Sequence, residues 1–417
     1  MHSSISSSDR ARNAAALWRL IRTLAVLVVV IVLAAEAGLR LAGIDYFSFG
    51  TPDPDLGWGN RPNAEGWFRK ENPAGVYVRL NSYGMNDKEH PAAKPAGVYR
   101  VAVLGNSYTE AFQVPNDQAY WRVAEQEMRR CAPAGKTVEV LNFGVSGYGT
   151  AQDLILLEKK ALAFQPDLVI LGFLTGGDVW YNHRKLQKMD QAPYYVLRDG
   201  KLTLDDSFRA MIRTGRLRQL QFTAERYSRA LQWLTNSRNA FRQLLFDTLQ
   251  KARGGAAAAA SAESIVKPTD LVYRPPDDTE QGRVWGEAWQ VTEALIAEMD
   301  AVCKRKGVAF RLVTLTNDKQ VHPDPAAREK LRAALGVTDL FYPDRRLREF
   351  ATARGIDVQT LGPEMAERAA REKVFLHGFE GGELGLGVGH WNADGNRWIG
   401  EAVGRRMCRA EQGASLP

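Results

Sequence analysis

The sequence predicts an α/β fold in three layers, a parallel sheet between helices, plus a basic helical insertion. Three observations predict it. Short apolar runs alternate with helical periodicity from residue 98 to 183, and the pattern resumes from 277 to 410. Glycine-rich loops follow the first three runs. Between the two stretches lies a segment whose apolar spacing is helical and whose charge is strongly positive.

The N-terminus comes first. Arg10, Arg12, Arg19 and Arg22 precede Thr23–Ala35, an uncharged stretch rich in Val, Leu and Ile. By its length the stretch reads as the core of a signal peptide, and Ala35-Glu36-Ala37 offers a cleavage site. Extended over Leu17–Leu41 it reads as an uncleaved signal anchor, with Arg19, Arg22 and Arg40 at its ends. The anchor is preferred for residues 1–44. Either reading sends the residues beyond about 45 out of the cytoplasm. The expected location is therefore a membrane, crossed once, with the rest of the chain outside the cytoplasm.

Residues 45–97 carry many prolines and glycines, and read as an irregular lead-in with short strands. The alternation then begins. Tyr99–Leu104, Thr137–Asn142 and Asp167–Leu174 read as strands, with helices over Gln118–Arg130 and Ala151–Ala163 between them. The insertion, 184–276, follows. From Arg184 to Arg253 it holds 15 Lys/Arg against 6 Asp/Glu, more than the net charge of +7 of the whole chain. Phe208–Gln250 has helical apolar spacing, and Ala256–Ala260 sits in a linker-like stretch. The resumed pattern gives helices at Trp285–Lys306, Ala326–Leu335, Asp344–Arg354 and Trp391–Cys408, with strands at Val308–Leu315 and Ile356–Val358.

At 417 residues, 45 % hydrophobic and 25 % charged, the chain is not a disordered protein, a collagen or a polytopic membrane protein. Cys131, Cys303 and Cys408 lie far apart, without zinc or thioredoxin spacing, and an odd count leaves at least one thiol unpaired. His90, His183, His322 and His377 have no neighbour at ligand spacing, so no metal site is expected, and no cofactor motif is present. The basic segment has no nucleic-acid-binding motif, so no nucleic-acid partner is expected. Its arginines suit a solvated helix face, an anionic glycan or lipid headgroups.

Four blocks carry candidate chemistry. Gly105-Asn106-Ser107 follows the first strand, where open α/β sheets present ligand-binding loops. Asn142–Thr150 follows the second, with glycines that let backbone N–H groups approach a ligand. Thr175-Gly176-Gly177-Asp178 follows the third. His390-Trp391-Asn392-Ala393-Asp394-Gly395 precedes the last helix, in a glycine-rich loop. The glycine spacing fits neither a dinucleotide fingerprint nor a P-loop.

In this order the blocks LGNSYTEAFQV, LNFGVSGYGTAQ, PDLVILGFLTGGD and GHWNADGN resemble the SGNH/GDSL hydrolase family, over roughly 97–182 and 285–408. With the anchor, the chain is similar to membrane-tethered bacterial members linked to polysaccharide biosynthesis. The resemblance implies a flavodoxin-like sheet, Ser107 as nucleophile, His390 as general base, and an oxyanion hole from the amides of Ser107 and Gly147. It also marks departures. Asn106 stands for the family's Asp. Gly177 stands where the family has an oxyanion-donating Asn. Gly387 and Val388 stand where the family carries its acid. Glu383, Glu380 or Asp394 is expected to replace the acid, or a backbone carbonyl orients the imidazole. Asn182, Asn142 or the Thr175 hydroxyl is expected to replace the donor. Asn106 and Trp391 are expected to touch substrate. Trp58, Trp67, Trp180, Tyr181, Trp285 and Trp289 are further candidates for stacking on sugar.

The implied activity is serine-dependent hydrolysis or transfer of an acyl group on an acylated extracytoplasmic polysaccharide. The expected partners are that glycan or a small ester, the inner membrane, and polysaccharide-assembly proteins. The alternative is a catalytically degenerate protein of this fold that binds glycan or serves assembly.

Overall fold

The computed structural model describes residues 7–43, 49–132, 135–212, 220, 223–225, 227–253 and 266–411. Its elements run in chain order. First come α1 (Ser7–Leu41) and two antiparallel hairpins, β1 (Gly50–Asp53) with β2 (Gly57–Asn60) and β3 (Glu65–Phe68) with β4 (Val76–Arg79). Next are β5 (Val98–Gly105), α2 (Ser107–Glu110), α3 (Tyr120–Arg129), β6 (Thr137–Asn142), α4 (Thr150–Lys159), β7 (Leu168–Leu174) and α5 (Asp178–Tyr181). The antiparallel pair β8 (Tyr194–Arg198) and β9 (Lys201–Asp205) precedes α6 (Phe208–Ile212) and α7 (Arg229–Arg253). The chain continues with α8 (Glu280–Arg305), β10 (Ala309–Leu315), α9 (Pro325–Leu335), α10 (Tyr342–Ala353), β11 (Asp357–Thr360), α11 (Gly362–Glu372) and α12 (Ala393–Glu411). These elements form two compact units: residues 1–48 with 215–259, and residues 49–214 with 260–417.

The larger unit is built on a five-stranded parallel sheet of order β11-β10-β7-β5-β6. Side chains alternate across it, as the period of a strand requires. Val101, Val103, Val140 and Ile170 face one core with Trp121, Met365 and Trp398 from α3, α11 and α12. Ala102, Leu104, Leu141 and Leu171 face the other with Leu154, Trp289 and Leu347 from α4, α8 and α10. Every residue of β7 is buried, which explains its unbroken apolar run. This is the three-layer α/β/α fold with a parallel sheet. Cys131, just past α3, and Cys408, on α12, are joined by a disulfide across 277 residues of sequence; Cys303 is a buried free thiol.

The helix boundaries follow capping chemistry. Thr279 accepts the Gly282 N–H at the start of α8. Asp324 caps α9, Pro325 opens it, and Gly336 closes it with φ +67°. Three features differ from the sequence reading. The stretch 184–276 is not helical throughout, because β8 and β9 form a hairpin turned by Asp199 (φ +51°) and Gly200 (φ +73°). That Asp-Gly pair supplies the two positive φ values a tight hairpin turn needs. An additional helix, α11, follows β11. The last helix begins at Ala393, since Trp391 is held extended in a β-bridge with His377.

In the smaller unit, α1 contains Ala16–Leu41, 26 residues whose most apolar 18-residue stretch has mean hydropathy 2.4 and no buried residue. At helical rise they reach roughly 39 Å, enough to cross a ~30 Å hydrocarbon core.

Candidate active site

All five sheet strands are parallel, so their carboxyl ends share one edge, and the chain passes from β5 to β6 on one side and then to β7 on the other. Ligand crevices in open sheets lie at such reversals. Ser107 sits there. Gly105 ends β5 with φ +150°, and a Cβ on it would lie 2.5 Å from Thr109 Oγ1 and 2.8 Å from the Gly172 carbonyl oxygen. Asn106 caps α2 by accepting the Tyr108 N–H at 3.0 Å. Its Nδ2 donates to Asp178 Oδ1 at 2.7 Å, and the Leu174 N–H donates to Asp178 Oδ2 at 2.8 Å. The third block therefore braces the first. Burial pushes the Asp178 carboxyl up to about 7.

Ser107 Oγ lies 2.7 Å from His390 Nε2. His390 Nδ1 lies 2.7 Å from Glu71 Oε1, and the His390 backbone N–H donates to Glu71 Oε2 at 2.8 Å. Both carboxylate oxygens thus hold the histidine, ring and backbone. Burial alone would raise the Glu71 pKa. The hydrogen bond to His390 and the charge of its ring outweigh that, and hold the carboxyl below its usual range. An ionised carboxylate on Nδ1–H leaves Nε2 free to take the serine proton.

Glu71 comes from the lead-in, in the loop between β3 and β4, with φ +67°. Asn72 fixes this loop by donating from Nδ2 to the Gln113 carbonyl at 2.9 Å. Gly389 leaves room for the carboxylate: its φ is +94°, and a Cβ there would lie 2.5 Å from Glu71 Oε2. Behind the histidine, Tyr108 OH and His377 Nδ1 both donate to the Gly389 carbonyl, at 2.9 and 2.7 Å. Burial pushes His377 down to about 4, so it is a neutral donor.

The second block docks on α2, the helix that Ser107 opens. A Cβ on Gly144 would fall 2.3 Å from the Glu110 nitrogen. The Ser146 hydroxyl donates to Glu110 Oε2, and Asn60 Nδ2 donates to Glu110 Oε1 at 2.7 Å. Burial raises the Glu110 carboxyl. Gly147 follows at φ +80°, beside the Trp58 ring.

The remaining expected residues are placed elsewhere. Glu380 and Glu383 are exposed, and Asp394 pairs with Arg397 at 2.7 Å; Glu71 stands where one of them was expected. Asn182 is buried, donating to Thr292 Oγ1 and accepting the Ala151 N–H. Asn142 is spent on Asn86 and Gly144, and Thr175 on Leu315 and Gln320. The side chains of all three are thus committed to neighbours, and the Gly177 N–H is itself bonded to the Leu174 carbonyl. Trp391 and Asn106 are 2 % and 1 % exposed; Trp391 Nε1 donates to Thr316 Oγ1. Trp285 and Trp289 are likewise core residues, whereas Trp67 is exposed. A separate cavity of about 370 Å³, lined by Asn60, Met85, Phe143, Val145, Tyr148 and Phe164 among others, includes neither Ser107 nor His390.

No family model matches the chain, and no curated protein matches it. Solved structures do. One is an acetylxylan esterase from Geobacillus stearothermophilus, at 10 % identity and TM-score 0.35, covering 74 % of this chain and 94 % of that one. A second is a putative lipolytic protein of the G-D-S-L family from Desulfitobacterium hafniense, at 10 % and 0.33, covering 74 % and 98 %. A third is a two-domain esterase active on acetylated mannans, at 12 % and 0.36, covering 77 % and 52 %.

Proposed function

We propose that this chain is a serine-dependent ester hydrolase or O-acyltransferase of SGNH type, acting on an acylated extracytoplasmic polysaccharide. The observation that carries the reading is the continuous hydrogen-bonded relay Ser107–His390–Glu71. Ser107 Oγ attacks the ester carbonyl carbon while its proton passes to His390 Nε2. Glu71 stabilises the imidazolium so formed. The backbone N–H groups of Ser107 and Gly147 receive the oxyanion. The intermediate then expels the glycan alkoxide, which takes the proton from Nε2 and leaves as the hydroxyl. An acyl-Ser107 remains. Water or a second sugar hydroxyl attacks it by the same route in reverse, giving hydrolysis or transfer.

With Gly177 in place of a side-chain donor, the hole has two donors. One lost donor typically costs about 10²–10³ in rate, so turnover on small esters is slow. A glycan substrate is supported by Trp67 and Tyr77, exposed side by side on the hairpin whose loop carries Glu71, with the Arg69 and Arg79 guanidinium groups at 5.0 and 5.4 Å from their rings. The Cys131–Cys408 disulfide and the apolar α1 support a membrane-anchored domain outside the cytoplasm, in reach of polysaccharide-assembly proteins. Among acetylated polysaccharides, acetylated xylan and mannan are the first substrates to try. The test is acetate release or acetyl transfer from them, followed by NMR with and without an acceptor saccharide. Activity that Ser107→Ala abolishes is expected. Inert glycans together with inert small esters would overturn the enzymatic reading in favour of a binding role.

A further inference from the structure

We infer that α7 is a membrane-surface helix, its exposed apolar face and neighbouring arginines lying on an anionic phospholipid bilayer beside the span formed by α1. The inference rests on reading α1 as that span.

Three observations within the smaller unit carry it. First, the two helices are tied where the apolar span ends. Glu36 Oε2 accepts the Ala230 N–H at 2.9 Å and the Ser228 hydroxyl at 3.0 Å, as a carboxylate cap on the first turn of α7. Arg40 holds Glu36 at 2.6 Å and donates to the Tyr227 carbonyl at 2.9 Å. The start of α7 is thereby fixed at the depth of Glu36 and Arg40, the polar end of the span.

Second, α7 is apolar on one exposed side. Trp233, Leu234, Phe241 and Leu245 are 48 %, 57 %, 64 % and 47 % exposed. On a helix they share a sector of about 120°. Nothing among the described residues covers them, and an apolar face of this size on a protein surface marks an interaction site.

Third, the charge selects the occupant. Arg238 and Arg242 are exposed beside the apolar sector, and the helix also carries Arg229, Lys251 and Arg253 against the single acidic Asp247. Charges along its whole length bar it from crossing a bilayer. A helix with Trp, Phe and Leu on one face and arginines beside it lies in the headgroup region. A second copy of this chain would meet like charge with like charge.

The test uses the full-length protein in phosphatidylcholine–phosphatidylglycerol liposomes. Cys303 is buried and Cys131 is bonded to Cys408, so one introduced thiol can be labelled selectively with an environment-sensitive fluorophore. Labels are placed at Phe241→Cys and Val28→Cys, and quenching by nitroxide lipids is read at shallow and deep positions. The expected result is deep quenching at Val28 and shallow quenching at Phe241. Each arginine near an anionic surface contributes roughly fivefold, so adding R238E and R242E lowers the phosphatidylglycerol dependence at Phe241 more than about tenfold. Quenching at Val28 with none at Phe241 overturns the inference, whether that label is in water or covered by a second copy. Absence of quenching at Val28 removes the span itself, and the inference with it.

Discussion

Replacing Glu71 by Gln isolates what the carboxylate does, because the side chain keeps its shape. In the native site one oxygen accepts the His390 Nδ1–H and the other accepts the His390 backbone N–H, at 2.7 and 2.8 Å. The backbone N–H can only donate, so it claims the single amide oxygen. The Gln –NH₂ then faces Nδ1 and donates to it. That selects the tautomer with the proton on Nε2, which cannot take the serine proton. The change also removes the charge opposite the imidazolium. With charge centres about 4 Å apart and an effective dielectric near 20, that interaction is worth about 4 kcal/mol, or about 10³-fold in rate. The tautomer error adds to it, and triads that lose this carboxylate fall by about 10⁴. The expected kcat for p-nitrophenyl acetate is therefore about 10³–10⁴-fold lower for Glu71→Gln, with an unchanged circular dichroism spectrum. A kcat within tenfold of wild type would exclude Glu71 from the acid role and return it to a backbone carbonyl or another carboxylate.

Other perturbations have outcomes as definite. Gly389→Ala puts a Cβ 2.5 Å from Glu71 Oε2 at a φ of +94°, so the carboxylate must shift; kcat is expected to fall about 10²-fold with little change in KM. Cys131→Ser with Cys408→Ser opens a link across 277 residues and is expected to cost about 2–5 kcal/mol, read as a lower urea midpoint that reductant no longer changes. Burial would lower the His90 pKa, but Asp87 and Glu139, at 3.0 and 2.6 Å, outweigh it and raise it. The stability it contributes is complete below about pH 6.5 and is lost as pH rises through the folded-state value. The urea midpoint is therefore expected to drop between pH 6 and 8.5, less steeply in His90→Gln; equal slopes would refute it. Asp178, pushed up to about 7, adds loss of the same sign between its unfolded value and pH 7 in both proteins.

Much of this was legible in residue order. The central strands are apolar runs buried on both faces, and β7 is buried at every position, so periodicity and glycine punctuation sufficed to place the sheet. Ser107 and His390 stood out by position, one in the loop after the first strand and the other in a glycine-rich loop before the last helix, while the roles expected of them came from the resemblance of the four ordered blocks to the SGNH/GDSL family. The Asp199-Gly200 turn was equally legible, yet it lies in a segment whose arginines and leucines suggest only helices. Glu71 was not legible. It lies 319 residues from His390, in a loop bent by tertiary contacts, and no spacing rule links the two. The one local trace is Gly389, small because Glu71 needs the space. Trp391 misled through adjacency: in the extended segment that pairs with His377, successive side chains point opposite ways, so His390 meets Ser107 while Trp391 enters the core.

The proposed chemistry stands on Ser107 being an activated nucleophile. Intact-mass analysis after incubation with a small fluorophosphonate tests it most directly, on the wild type beside Ser107→Ala, His390→Ala and Glu71→Gln. One adduct per chain is expected, absent in Ser107→Ala, and formed far more slowly in the other two variants. A folded wild type that takes no label, or an adduct that persists in Ser107→Ala, would contradict it.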